Sequence, residues 1–167
     1  MAVIDRLRTY QPGEAAAILA TLRFRQARFR EAAAALETAF EDFRGNPWAL
    51  TRFKERGLAL AAAVAARDDL LAARMLDALK PPFALLAQQD ARLASIATLT
   101  RVLNFKGLCR DAVGALEPHV PWTASFLKLR RDCYQAVRDP RLGLAAADLE
   151  DFVAHETTGL PIQTETR

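Results

Sequence analysis

Pro47-Trp48-Ala49-Leu50 returns 35 residues later as Pro82-Phe83-Ala84-Leu85, and no other feature constrains the fold as strongly. A looser third copy is Pro121-Trp122-Thr123-Ala124, and Pro12 stands 35 residues before Pro47. A second series interleaves with the first: Ala32/Leu36, Ala72/Leu76, Ala112/Leu116 and Ala145/Leu149, spaced by 40, 40 and 33 residues. Self-similarity at a period of roughly 34–40 residues marks a repeated helical unit that buries its apolar face against its neighbours. Proline suits the first helical position, because its ring presets φ and its missing N–H would be unpaired there anyway. Alanine followed four residues later by leucine puts a small and a large apolar group on one helix face. Each unit is therefore expected to hold two helices, one opened by proline and one packed through alanine.

Composition supports an all-α chain. About a fifth of the 167 residues are alanine, the strongest helix former, only seven are glycine, and no β-branched run suggests a strand. One domain is expected, since the chain is long enough for one good core and short for two. The longest apolar stretch, 58–66, has nine residues, about half of what a membrane span needs. The first ten residues carry Asp5, Arg6 and Arg8 and lack the apolar centre of a signal peptide. Cys109 and Cys133 lie inside apolar helical patterns without CxxC spacing, so reduced, packed thiols and a cytoplasmic setting are expected.

The period predicts about eight helices over 14–26, 29–43, 47–66, 68–80, 84–106, 107–117, 122–138 and 139–156. Asn46 and Asp68 are the expected N-caps, Gly45 an expected C-cap, and Gly107 an expected turn. Short links would make these helices four antiparallel hairpins. Residues 1–12 form a lead-in, and the polar, proline-interrupted 157–167 a disordered tail.

Ala27-Arg28-Phe29-Arg30-Glu31-Ala32, with Leu36, Ala39 and Asn46-Pro47, resembles the second helix of a tetratricopeptide repeat. Ala16, Leu19 and Ala20 match first-helix positions, while Arg23 stands where that family has tyrosine. The resemblance covers 13–156. It implies a right-handed solenoid whose first helices line a concave surface and bind a protein or peptide, with no cofactor. A narrower resemblance, through 116–122, 129–134 and 148–156, is to the helical tails of bacterial spermidine-synthase-like proteins. It implies an accessory scaffold for a methyltransferase-fold partner, whose glycine-rich loop and catalytic aspartate have no match here.

Charge is unevenly distributed. The first helices of the pairs (14–26, 47–66, 84–106, 121–138) hold 12 basic and 4 acidic residues, and the second helices 8 and 14. If first helices line the concave side, Arg52, Arg56, Arg92, Arg101, Lys128 and Arg131 make it basic, suited to an acidic partner. The competing account is that basic and acidic helices pair within each hairpin. Arg23, Arg25, Arg28 and Arg30 cluster at the first hairpin turn, as an anion clamp or as cations at a helix carboxyl end. Trp48 and Trp122 would staple helix starts to the previous unit or line the groove. A net charge of +3 is far from the dense basic stripe of a dedicated nucleic-acid binder, leaving weak binding through arginine as a third reading. His119 and His155 sit at helix ends without metal-ligand spacing, and no nucleophile, base and stabiliser assemble into an active site. End-to-end stacking of such an array would make a homo-oligomer.

Overall fold

A computed structural model describes residues 2–84 and 88–157, so the expected tail beyond Thr157 and Leu85 of the second proline motif lie outside the described residues. The described residues are all-helical and contain no strand. The helices are α1 (Ala2–Arg8), α2 (Pro12–Arg25), α3 (Phe29–Gly45), α4 (Thr51–Ala65), α5 (Asp69–Leu79), α6 (Gln89–Val102), α7 (Lys106–Gly114), α8 (Ala124–Val137) and α9 (Leu142–Thr157). A 3-10 turn, Glu117–His119, precedes α8. The lead-in thus contains a helix, α1, which packs on α2 with Ile4 buried.

The alanine–leucine series forms the spine of the core. Ala32, Leu36, Ala72, Leu76, Ala112, Leu116 and Ala145 are all buried, and Leu149 is half-buried. Small side chains at these positions let helix backbones approach closely, and the leucines one turn on fill the space between. Each of α2, α4, α6 and α8 packs on the next, forming a continuous row. Each also packs on the helix that follows it in the chain: α3, α5, α7 and α9.

The prolines do different work from that expected. Only Pro12 lies in a helix's first turn. Pro47, Pro82 and Pro121 stand in loops ahead of α4, α6 and α8. Tertiary partners in the α2/α3 pair hold the first two loops. The Leu50 amide donates to Glu14 Oε1 (3.1 Å), and the Ala84 amide donates to the Phe43 carbonyl (3.1 Å). Phe83 is buried with its ring centroid 5.8 Å from that of Phe40 and 6.0 Å from that of Phe43. The repeated Pro47 and Pro82 motifs therefore mark docked loops. Helix starts follow later, at Thr123 through its own hydroxyl (accepting from the Phe126 amide, 3.3 Å) and at Asp68 as expected (accepting from the Leu71 amide, 2.7 Å). Asn46 instead accepts from the Trp48 amide (3.0 Å), shaping the loop.

Repetition is clearest in three turns that carry no sequence signature. Ala27, Asn104 and Arg138 adopt left-handed φ of 57°, 59° and 55° just after α2, α6 and α8. In each, the next residue's amide reaches back five residues: Arg28 to Arg23 O (2.9 Å), Phe105 to Thr100 O (2.7 Å), Asp139 to Tyr134 O (3.0 Å). This is the Schellman arrangement, which satisfies the last carbonyls of a helix and is usually made with glycine. Gly107, expected at the α6–α7 turn, lies inside α7, and Asn104 makes the turn.

Two further expectations are corrected. Cys109 and Cys133 are joined in a disulfide, not reduced, linking buried positions on α7 and α8. Their Cα atoms lie 5.4 Å apart across 24 residues of sequence, a proximity that only the packing of α7 on α8 creates. Trp48 is 88% exposed and staples nothing, because its loop turns the indole away from the core. Trp122, half-exposed, packs edge-on against Phe152 of α9, within its own helix pair and not on the previous unit.

Candidate partner-binding face

The six basic residues singled out for the row of first helices separate into three groups. Arg52 and Arg56, one turn apart on α4, are exposed, and neither forms an ion pair among the described residues. Arg52 lies over the Phe53 ring at 5.0 Å. Arg101 on α6 and Arg131 on α8 converge on Asp132, at 3.0 and 2.7 Å, so one carboxylate answers both. Lys128 is exposed on α8.

Arg92 is different. It is 93% buried, with only 7% of its surface exposed, and its guanidinium donates to the carbonyls of Leu79 (2.7 Å) and Lys80 (3.0 Å) and to Gln89 Oε1 (2.6 Å). It ties α6 to the end of α5, where helical carbonyls lack internal partners. Burial lowers its pKa. It stands apart from the exposed arginines of α4.

Lys54 also leaves the surface. It lies on the buried stripe of α4 with Gly57, Leu58, Ala61, Val64 and Ala65, and is 1% exposed. Its ammonium sits 5.7 Å from the Phe43 ring centroid. Burial depresses its pKa, opposed by the charges of Glu14 and Asp42. That placement was legible in the helical period, had each basic residue been tested against the apolar stripe of its own helix. Gly13 belongs to the same corner: a Cβ there would run into the Asp42 carboxylate and the Phe43 ring (2.7 Å), so a larger residue would force those side chains of α3 to move.

Between α4, α6 and α8 runs an open groove of about 330 Å³. Small residues line it, among them Ala59, Ala62, Ala91 and Ala94, together with the apolar Phe126 and Leu129. Asp90 is the one charged residue lining it. The groove is therefore apolar, and the exposed, unpaired Arg52 and Arg56 stand on the α4 ridge beside it. Ala59 follows Arg52 and Arg56 on that ridge at helical spacing and faces the groove.

Part of the charge segregation is answered within and between helix pairs. Arg23 of α2 meets Glu31 of α3 (3.4 Å), and Arg74 of α5 is bidentate to Glu37 of α3 (2.8 and 2.7 Å). In the Arg28 cluster, Arg28 bonds Glu31. Arg130, 1% exposed, is bidentate to Glu117 (2.8 Å each) and bonded to Asp148 of α9 (2.5 Å). Tyr134 donates its hydroxyl to Glu117, and Arg141 lies 4.6 Å over the Tyr134 ring. Burial and the Glu117 charge hold the Tyr134 phenol well above its ordinary pKa. For Glu117, burial raises the pKa, but hydrogen bonds from Arg130 and Tyr134 outweigh it and the net shift is downward. Hydrogen bonds from Arg141 depress Asp139 to about 2. These groups lock one another.

His119 is exposed, and His155 Nδ1 lies 2.8 Å from the Asp151 carbonyl within α9. Among the described residues no three His, Cys, Asp or Glu side chains are placed to share a metal ion, and no helix is long and apolar enough to cross a membrane. Comparison with known proteins finds no family model, no curated relative and no solved structure that matches this chain.

Proposed function

We propose that the chain is a non-catalytic helical-repeat interaction module that binds an acidic segment of a partner protein across α4. In this reading α2/α3, α4/α5, α6/α7 and α8/α9 are antiparallel hairpins stacked in the manner of tetratricopeptide repeats. The row of α2, α4, α6 and α8 lines the inner surface, and the recurrent Schellman turns after three of its members support that repetition. The observation that carries the binding role is the pairing of an apolar groove lined by small residues with the unpaired Arg52 and Arg56 on the α4 ridge beside it. Apolar side chains of the partner enter the groove and contribute most of the affinity. Its carboxylates meet the arginines, which set orientation and association rate. Arg92 holds α6 on α5 and takes no part.

Selection of displayed random peptides on the immobilised chain tests this. Recovered sequences are expected to be rich in Asp and Glu, and to bind about tenfold more weakly to Arg52→Glu/Arg56→Glu, whose helicity is unchanged. Placing a large residue in the groove, Ala94→Trp, blocks the same peptides. Peptides without acidic bias, or capture of nucleic acid regardless of sequence with a steep salt dependence, would overturn the reading.

A further inference from the structure

The corner between α1, α2 and α4 holds a second hollow, of about 300 Å³, lined by Ile4, Ile18, Thr21, Leu22, Arg25 and Arg56. Its floor is aliphatic. Thr21 adds no free donor, because its hydroxyl already donates to the Ala17 carbonyl (3.0 Å). At its mouth stand two guanidinium groups, Arg25 and Arg56, both exposed and both without an ion pair among the described residues. The hollow between α3 and α5 shows the usual alternative. There Arg74 is held by Glu37 and Arg44 by the Ala78 carbonyl (2.7 Å), so its cations are already answered.

We infer that this corner is a specificity pocket for an aliphatic side chain flanked by a carboxylate, carried on the acidic partner segment. The inference rests on the proposed function and deepens it. An aliphatic group the size of leucine fits the volume and covers Ile4, Ile18 and Leu22, and the adjacent carboxylate reaches Arg25 and Arg56. Arg56 belongs to both features: it stands on the α4 ridge beside Arg52 and at the mouth of this pocket. One segment crossing α4 therefore engages both. Charge complementarity selects the occupant, since two unanswered arginines over an aliphatic floor reject a purely apolar or a cationic segment. The pocket also gives α1 a role, because Ile4 closes its outer wall.

The test uses the full chain and a displayed peptide library with one fixed aspartate and randomised neighbours. Leucine, isoleucine or valine next to the aspartate should be enriched on the wild type. Ile18→Trp, which fills the pocket from a half-exposed position, should abolish that enrichment while keeping the preference for acid. In the best recovered peptide, changing the aliphatic residue to alanine should weaken binding about tenfold, the worth of burying one such side chain. Methyl NMR of the wild type gives a measure independent of the variant. The leucine peptide, and not its alanine counterpart, should shift the methyl signals of Ile4, Ile18 and Leu22. Acidic peptides without aliphatic preference, or with unmoved methyl signals, would overturn the pocket and leave the proposed function standing. Peptides without acidic residues would overturn both.

Discussion

The N-terminal pairs, α2 to α5, and the C-terminal pairs, α6 to α9, use the same row of first helices yet are held together by different forces. In the N-terminal half the second helices α3 and α5 pack on each other, and Phe40, Phe43 and Phe83 form a shared aromatic cluster. In the C-terminal half, among the described residues, α7 and α9 make no comparable packing with each other, and α7 has only nine residues against seventeen in α3. There α7 packs on α6 and α8, and α9 on α8, and a disulfide between α7 and α8 and the buried Arg130 network add polar and covalent links to that packing. Where the apolar repeat runs long enough to bury a face, packing suffices. Where the second helices do not meet, covalent and ionic links are added to the packing on the first helices. Such polar links are unforgiving, because removing one partner strands another in a medium that cannot solvate it.

The sharpest way to break the comparison is Arg130→Met. It leaves Glu117 and Asp148 without their buried cation and should cost about 3–5 kcal/mol in urea unfolding, followed through Trp122, which packs on α9. A loss below about 1 kcal/mol would mean that packing alone holds α9. Acid probes the same network. Glu117 has a folded pKa below its unfolded value, so its contribution is present above that unfolded value, about pH 4.3, and is lost as pH falls through the lowered folded pKa. The Trp122 signal should therefore respond at lower pH in the wild type than in Arg130→Met.

Reducing the Cys109–Cys133 disulfide ranks next. Releasing a loop of 24 residues should cost about 3–4 kcal/mol, with hydrogen exchange rising first in α7. Equal protection of α7 in oxidised and reduced protein would remove the distinction between the halves. In the N-terminal half, Ala32→Leu forces a large side chain into the fully buried α2–α3 contact and should cost about 1–3 kcal/mol by thermal unfolding. The smallest effect has the opposite sign. Ala27→Gly relieves a left-handed residue and should stabilise by about 0.5–1 kcal/mol. Unchanged stability would show that the α2–α3 turn carries no strain.

The unevenness of the two halves explains which residues were legible. Ala32, Leu36, Ala72 and Leu76 could be assigned to the core from spacing alone, since a helix places residues four apart on one face whatever surrounds it. The basic character of α4 was legible in the same way. Arg92 was misjudged as exposed, since charge argues for exposure only until a neighbour supplies acceptors. The pocket beside α1 was missed, because Ile4, Ile18 and Arg56 meet only after three helices pack.

By itself, then, the sequence determined the all-α class, the alternation of helices and the alanine–leucine spine, all of which depend on groups within a turn or two of one another. Tertiary structure alone decided that the prolines mark docked loops, that Ala27, Asn104 and Arg138 turn left-handed, that the cysteines pair, and which arginines stay unanswered. Each of those depends on a partner brought close by packing, and the local period of a helix carries no record of what lies across the interface.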